Sequence, residues 1–213
     1  MSPIKFRCEW KQQISTADYQ ILRSRLRALL KYDPHAGGKG GYRIRSLYFD
    51  YAEGATQPEM AEVPYRRDLF RLRFYDNDLT HISLEKKSVN GALCCKAAAP
   101  LSFSQCTSIL RGNWRWLREA DEPLLREFYW QMELNRLRPK TVADCWREPF
   151  LYPTGNVRIT LDSRFRAGPA ADFTALALPA ASAPDGFVML VVKYDEVLPA
   201  FIRAALFPAG PAE

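Results

Sequence analysis

Leu69-Phe70-Arg71-Leu72-Arg73-Phe74-Tyr75, residues 69–75, is the stretch on which the fold turns. Read as a strand, it places Phe70, Leu72 and Phe74 on one face and Arg71 and Arg73 on the other, because side chains alternate along extended backbone. The apolar face requires a core. The opposite face carries two fixed positive charges about 7 Å apart, and its neighbour is either water or a polyanion.

The same division recurs. In Ile82–Lys87 (ISLEKK), Ile82 and Leu84 alternate with Ser83, Glu85 and Lys87; in Val157–Asp162 (VRITLD), Val157, Ile159 and Leu161 alternate with Arg158, Thr160 and Asp162. Near the start, Arg7, Glu9 and Lys11 alternate with Phe6, Cys8 and Trp10. Two architectures satisfy this pattern. In an open sheet backed by helices the charged faces meet solvent. In a closed barrel they line the interior, where neighbouring cations repel unless an anion neutralises them. The alternation alone leaves both open.

Around these strands the chain predicts helices at 16–31, 102–120 and 121–137. Ser15 or Thr16 suits the first cap, and Pro123 suits a helix start. Further strands are expected at 4–10, 42–51, 92–97, 142–146, 156–162 and 187–194, with Asn90-Gly91 as a hairpin turn. The stretches 35–41, 52–65 and 167–184 read as loops. Strands and helices do not alternate regularly, which argues against a doubly wound sheet, and the class is α+β. At 213 residues the chain is read as a single domain, 1–213.

A formal charge of +6 points to an anionic partner without choosing its chemistry. The five cysteines show no CxxC spacing, which argues against a disulfide framework or a zinc site and favours reduced thiols in the cytoplasm. The polar N-terminus does not read as a signal peptide, and there is no apolar run of about 18 residues to span a membrane. Gly37-Gly38-Lys39-Gly40-Gly41 lacks phosphate-loop spacing, and His35 and His81 lack metal-partner spacing. Trp114, Trp116, Tyr129 and Trp130 are expected to pack the middle helices against the sheet; stacking of nucleic-acid bases is the competing idea, and no nucleic acid is expected.

The charged residue types carry chemistry of their own. Arginine suits bidentate phosphate contacts and lysine adds a compact charge. Glu9 and Glu85 each stand two residues from a lysine, where a carboxylate suits Mg²⁺ or Mn²⁺ bridging phosphate oxygens. Phosphoryl transfer needs little beyond such positioning and neutralisation.

In order along the chain, FRCEWK (6–11), YRIRSLYFD (42–50), FRLRFY (70–75), ISLEKK (82–87), LRPKTVADCWREPF (137–150), VRITLD (157–162) and VVKYDEVLPAFI (191–202) resemble the polyphosphate polymerase domain of the vacuolar transporter chaperone (VTC) type. That family belongs to the CYTH-like triphosphate tunnel metalloenzymes. The resemblance implies an antiparallel eight-stranded β-barrel with helices packed outside and a tunnel that binds ATP, triphosphate or polyphosphate. The implied reaction moves the terminal phosphate of ATP onto a polyphosphate chain with Mn²⁺ or Mg²⁺. Carried over residue by residue, Lys11, Arg71, Arg73, Lys87, Lys96, Arg147, Arg158 and Lys193 bind phosphate, and Glu9 and Glu85 bind metal. The family works beside membrane proteins, so the resemblance also implies a place at the cytoplasmic face of a membrane through a partner.

Three departures bear on catalysis. The family's LEVKY strand carries a metal-binding glutamate; here it reads Leu190-Val191-Val192-Lys193-Tyr194, with Val191 at the acid's position. The family's C-terminal phosphate-binding segment has no match before Glu213. The VxYxR motif is replaced by Ala143-Asp144-Cys145-Trp146-Arg147. A non-catalytic tunnel that holds polyphosphate or triphosphate is therefore the alternative expectation. Arg43 and Arg45 are read as partners of acids at the barrel rim.

Overall fold

The computed structural model describes residues 7–51, 66–90, 93–178, 181–182 and 186–207. Within them the strands are β1 (Arg7–Ile14), β2 (Lys31–Tyr32), β3 (Tyr42–Tyr51), β4 (Arg66–Tyr75), β5 (Ile82–Asn90), β6 (Leu93–Leu101), β7 (Leu137–Tyr152), β8 (Val157–Pro169), β9 (Ala181–Ser182) and β10 (Val188–Tyr194). The helices are α1 (Thr16–Leu29), α2 (Phe103–Leu110), α3 (Pro123–Leu134) and α4 (Ala200–Leu206). The 52–65 connection, the Gly91 half of the expected hairpin turn and the last six residues lie outside the described residues.

The chain divides into two compact units. The first comprises Met1–Tyr42, Cys145–Phe165 and Ser182–Glu213; the second comprises Arg43–Asp144 and Arg166–Ala181.

In the first unit, Ser15 caps α1 by accepting the Asp18 amide at 3.1 Å, and Leu22 and Leu26 are buried. The helix ends two residues before the expected Lys31 because Leu30 turns extended at φ −126°. Lys31 and Tyr32 instead pair with Leu151 and Phe150 of β7, and the Tyr32 ring stacks on Phe150 at 4.8 Å. Here a tertiary contact outranks helical periodicity. β1 runs antiparallel to β10, and β10 antiparallel to β8. Their shared apolar face (Ile159, Leu161, Leu190 and Val192) is buried with Leu22, Leu26 and Phe150.

In the second unit, β3, β4, β5 and β6 form a consecutive antiparallel meander. Its apolar face contributes Leu47, Phe49, Phe70, Leu72, Phe74, Leu84 and Ala99 to one core. α2 and α3 close that core: Phe128 of α3 is fully buried, with its ring 4.9 Å from Phe49 and 5.5 Å from Phe70. Trp114, Trp116 and Tyr129 pack against it as expected, but Trp130 does not, being 47% exposed. A capping box of Ser102 and Gln105 starts α2. The expected helix to Ala120 breaks after Leu110, where Gly112 takes φ +85°, and resumes as a 3₁₀ turn at Arg115–Glu119.

The largest difference from the sequence reading is β7, 16 residues long where 142–146 was expected. Pro139 and Pro149 lie inside it and punctuate the sequence as breakers, yet a strand tolerates proline where the ladder does not need its N–H. The 167–184 stretch, expected as a loop, contains the end of β8, a 3₁₀ turn at Ala170–Thr174 and β9.

Candidate functional site

The polar face of the second unit is built by strand register. Ser46 of β3 pairs with Arg73 of β4, and Arg73 with Ser83 of β5. Tyr48 pairs with Arg71, Arg71 with Glu85, and Glu85 with Ala98 of β6. Lys87 pairs with Leu69 and Lys96. Arg71, Arg73, Glu85, Lys87 and Lys96 therefore share one side of three adjacent strands, opposite the aromatic core.

Glu85 is the hub of this face. Its Oε2 accepts Arg71 Nε at 2.7 Å and Nη2 at 2.6 Å, with Arg73 Nη1 at 3.7 Å, while its Oε1 accepts Lys96 Nζ. The carboxylate side chain is 3% exposed. Burial alone would raise its pKa; the charges of Arg73, Arg71 and Lys96 outweigh that and hold it at about 2. The arginines have further anchors. Arg73 Nε donates to Ser46 Oγ at 2.9 Å, and the Arg71 guanidinium lies 5.9 Å from the Tyr48 ring centre. On this face of β4, β5 and β6 three cations, Arg71, Arg73 and Lys96, converge on one carboxylate, with Lys87 beside Lys96 in register.

The first unit has a charged face of its own, with a different balance. Register places Glu9 beside Lys193, Lys11 beside Val191, Val191 beside Thr160, and Lys193 beside Arg158. Glu9 Oε1 lies 3.1 Å from Lys11 Nζ and its Oε2 lies 3.4 Å from Lys193 Nζ. Arg147 of β7 grips Asp162 of β8 bidentately, Nε to Oδ1 at 2.6 Å and Nη2 to Oδ2 at 2.5 Å. Burial opposes the Arg147 charge, but the Asp162 hydrogen bonds and charge raise its pKa above the ordinary value. Arg158 Nη2 lies 2.9 Å from Asp33 Oδ2 and donates to Tyr42 Oη at 2.6 Å. Burial works to raise the Asp33 pKa, but hydrogen bonds from His35 and the charge of Arg158 lower it overall. Lys11, Lys193, Arg147 and Arg158 thus face Glu9, Asp162 and Asp33, four cations to three carboxylates.

Val191 is 5% exposed and sits between Lys11 and Thr160, on the side that alternation assigned to it. An aliphatic side chain offers a metal nothing. Among the described residues no three His, Cys, Asp or Glu side chains gather to hold a metal ion. A divalent ion on Glu85 would have to displace Arg71 or Lys96, and one on Glu9 would have to displace Lys11 or Lys193. As arranged, neither carboxylate fits the part of a free metal ligand.

Arg43 and Arg45 do pair with an acid, the same one. Asp144 accepts Arg43 Nε at 2.9 Å and Arg45 Nη2 at 3.0 Å. Arg45 is not at a rim, however. It is 1% exposed on the apolar side of β3, its guanidinium 5.7 Å from the Phe74 ring centre. The carboxylates Asp33, Asp144 and Asp162 were missing from the sequence-derived site. Asp162 was visible as the polar alternate of VRITLD; Asp33 looked like a helix stop before Pro34, with nothing local to link it to Arg158.

An alternating cationic face on antiparallel strands, with helices on the apolar side, suits an open sheet or a barrel with a charged interior. Comparison with one solved structure shows the barrel. A "putative adenylate cyclase" of Bacillus halodurans superposes with a TM-score of 0.53 at 13% identity, covering 90% of this chain and 82% of that one. The PH1012 protein of Pyrococcus horikoshii gives a TM-score of 0.48 at 10% identity, covering 95% and 86%. The fold is a closed antiparallel eight-stranded β-barrel with two short additional strands, β2 and β9, and several helices outside.

The VTC domain family matches residues 6–206, and the chain belongs to that family. No curated protein matches. Family and fold together support a tunnel-fold protein that binds phosphate or nucleotide. Among the described residues no helix is long and apolar enough to cross a membrane.

Proposed function

We propose that this protein binds the phosphate chain of a triphosphate, a nucleoside triphosphate such as ATP, or polyphosphate, and that the charged face of β4, β5 and β6 is its principal grip. One observation carries the reading: three cations on adjacent strands, Arg71, Arg73 and Lys96, share a single carboxylate, Glu85. Like charges held this close repel, and a polyanion relieves that repulsion while accepting charge-assisted hydrogen bonds. Arg71 and Arg73 supply forked donors; Lys87 and Lys96 supply point charges further along. The test is calorimetry with tripolyphosphate at low salt. Micromolar binding that weakens as salt rises supports the reading, and heat no greater than dilution at millimolar ligand rejects it.

Family membership favours a second, finer reading in which the protein transfers the terminal phosphate of ATP to a growing polyphosphate chain. Bound Mn²⁺ or Mg²⁺ would supply neutralisation of the transferring phosphate's charge. In this chain Arg147 and Arg158 would orient the phosphates. Val191 and the engaged state of Glu9 and Glu85 favour binding over transfer. Incubating the protein with ATP and Mn²⁺ separates the two: polyphosphate formation establishes transfer, and tripolyphosphate binding without product leaves a holding function. A membrane-protein partner follows from the family resemblance and is testable by co-purification from detergent extracts.

A further inference from the structure

We infer that Glu85 is an internal counter-ion that competes with the incoming phosphate chain, so that it weakens the grip of Arg71, Arg73 and Lys96 instead of building it. The inference rests on the proposed phosphate binding at β4, β5 and β6, and it gives Glu85 a role opposite in sign to metal ligation.

Three observations lead there. Both carboxylate oxygens are taken, Oε2 by Arg71 with Arg73 nearby and Oε1 by Lys96. A phosphate reaching the same donors must therefore share them with a buried negative charge. Second, the arginines do not depend on Glu85 alone for their placement. Ser46 accepts Arg73 Nε at 2.9 Å, and Tyr48 lies under the Arg71 guanidinium. The Lys96 side chain is 51% exposed and free to swing to a ligand on its own stem. Third, among the described residues Glu85 has only cations as side-chain partners. It is buried on a face with no second carboxylate beside it on β4, β5 or β6 among the described residues, so it does not begin a metal cage.

Such a residue has two uses. Without ligand it offsets the mutual repulsion of cations that the fold holds on adjacent strands. With ligand it limits how tightly any one phosphate is held, which lets a long chain advance or leave; passage along a charged path requires that each site bind weakly enough to release.

The test is the affinity of Glu85→Gln for tripolyphosphate, measured by calorimetry in EDTA at low salt beside the unaltered protein. Glutamine keeps the shape and one acceptor oxygen while removing the charge. The affinity is expected to rise about tenfold or more, the scale of coupling between close charge pairs, and to fall more steeply with added salt. Without ligand the variant is expected to melt at a lower temperature, and tripolyphosphate is expected to raise its melting temperature by more than it raises that of the unaltered protein. Unchanged or weaker binding overturns the inference. So does a loss of affinity confined to solutions containing Mn²⁺, which would identify a metal ligand. If the variant folds only when purified with tripolyphosphate, the counter-ion role is supported; failure to fold even then makes Glu85 structural and overturns it. Absence of binding by both proteins rejects the phosphate-binding reading itself, whereas binding by the unaltered protein with no gain in the variant rejects only the role of Glu85.

Discussion

The two charged strand faces are built from the same residue types and differ in balance. On β4, β5 and β6 one carboxylate, Glu85, serves Arg71, Arg73 and Lys96, with Lys87 on the same side. On β1, β10 and β8, Glu9 serves two lysines, Arg147 has Asp162 to itself, and Arg158 has Asp33. Three cations divide one carboxylate in the first arrangement, whereas in the second each carboxylate serves one or two. Counting arginines would rate the faces alike; counting their partners separates them. An anion gains most where the protein has left cations underpaired.

The largest effect is expected away from either face. Asp144→Ala leaves the buried Arg45 with backbone carbonyls of Phe173 and Ala175 but no carboxylate, at a loss of about 3–5 kcal/mol in stability. Denaturant unfolding measures it, and a loss below about 1 kcal/mol would mean that Arg45 finds water or moves outward. The surviving folded protein should bind tripolyphosphate as before, because Arg45 lies on the apolar side of β3.

Acid comes next. Glu85 has its pKa lowered in the folded state to about 2, so its contribution is complete above the ordinary carboxylate value near 4.5. It is lost as pH falls from there toward 2, on the order of 3 kcal/mol in all. Melting temperatures across that window should fall for the unaltered protein, and Glu85→Gln should remove that part of the slope. An equal slope in both would place the acid sensitivity elsewhere.

Smaller effects belong to the balanced face. Arg147→Ala combined with Asp162→Asn removes a matched pair together, and tripolyphosphate affinity should fall by no more than about tenfold, one charge-assisted contact. A loss approaching that of the β4 arginines would erase the distinction between the faces. Lys11 is half exposed on Glu9, and Lys11→Ala should shift affinity by no more than about threefold, as for other exposed pairs.

Much of the fold was legible because period-two alternation is a local signal. LFRLRFY, ISLEKK and VRITLD each placed their residues on the faces where β4, β5 and β8 hold them. Val191 likewise fell on the side that alternation assigned. What escaped was long-range. β7 was hidden because Pro139 and Pro149 interrupt it, and the end of α1 because Tyr32 stacks on Phe150, 118 positions away in the chain. The site was legible as a set of cations but not as a set of pairs: nothing local to Asp33 or Asp144 announces Arg158 or Arg45. Partnership, not the cations themselves, decides which charges an anion can claim.

The central claim is that Arg71 and Arg73, underpaired beside Glu85, hold a phosphate chain. Calorimetric titration of tripolyphosphate at low salt into the unaltered protein and into Arg71→Ala combined with Arg73→Ala tests it directly. Salt-sensitive binding to the unaltered protein and a loss of at least about 100-fold in the double variant are expected, from two charged hydrogen-bonding groups. Affinity unchanged within about threefold, in a double variant shown to be folded by its near-ultraviolet circular dichroism, would contradict it.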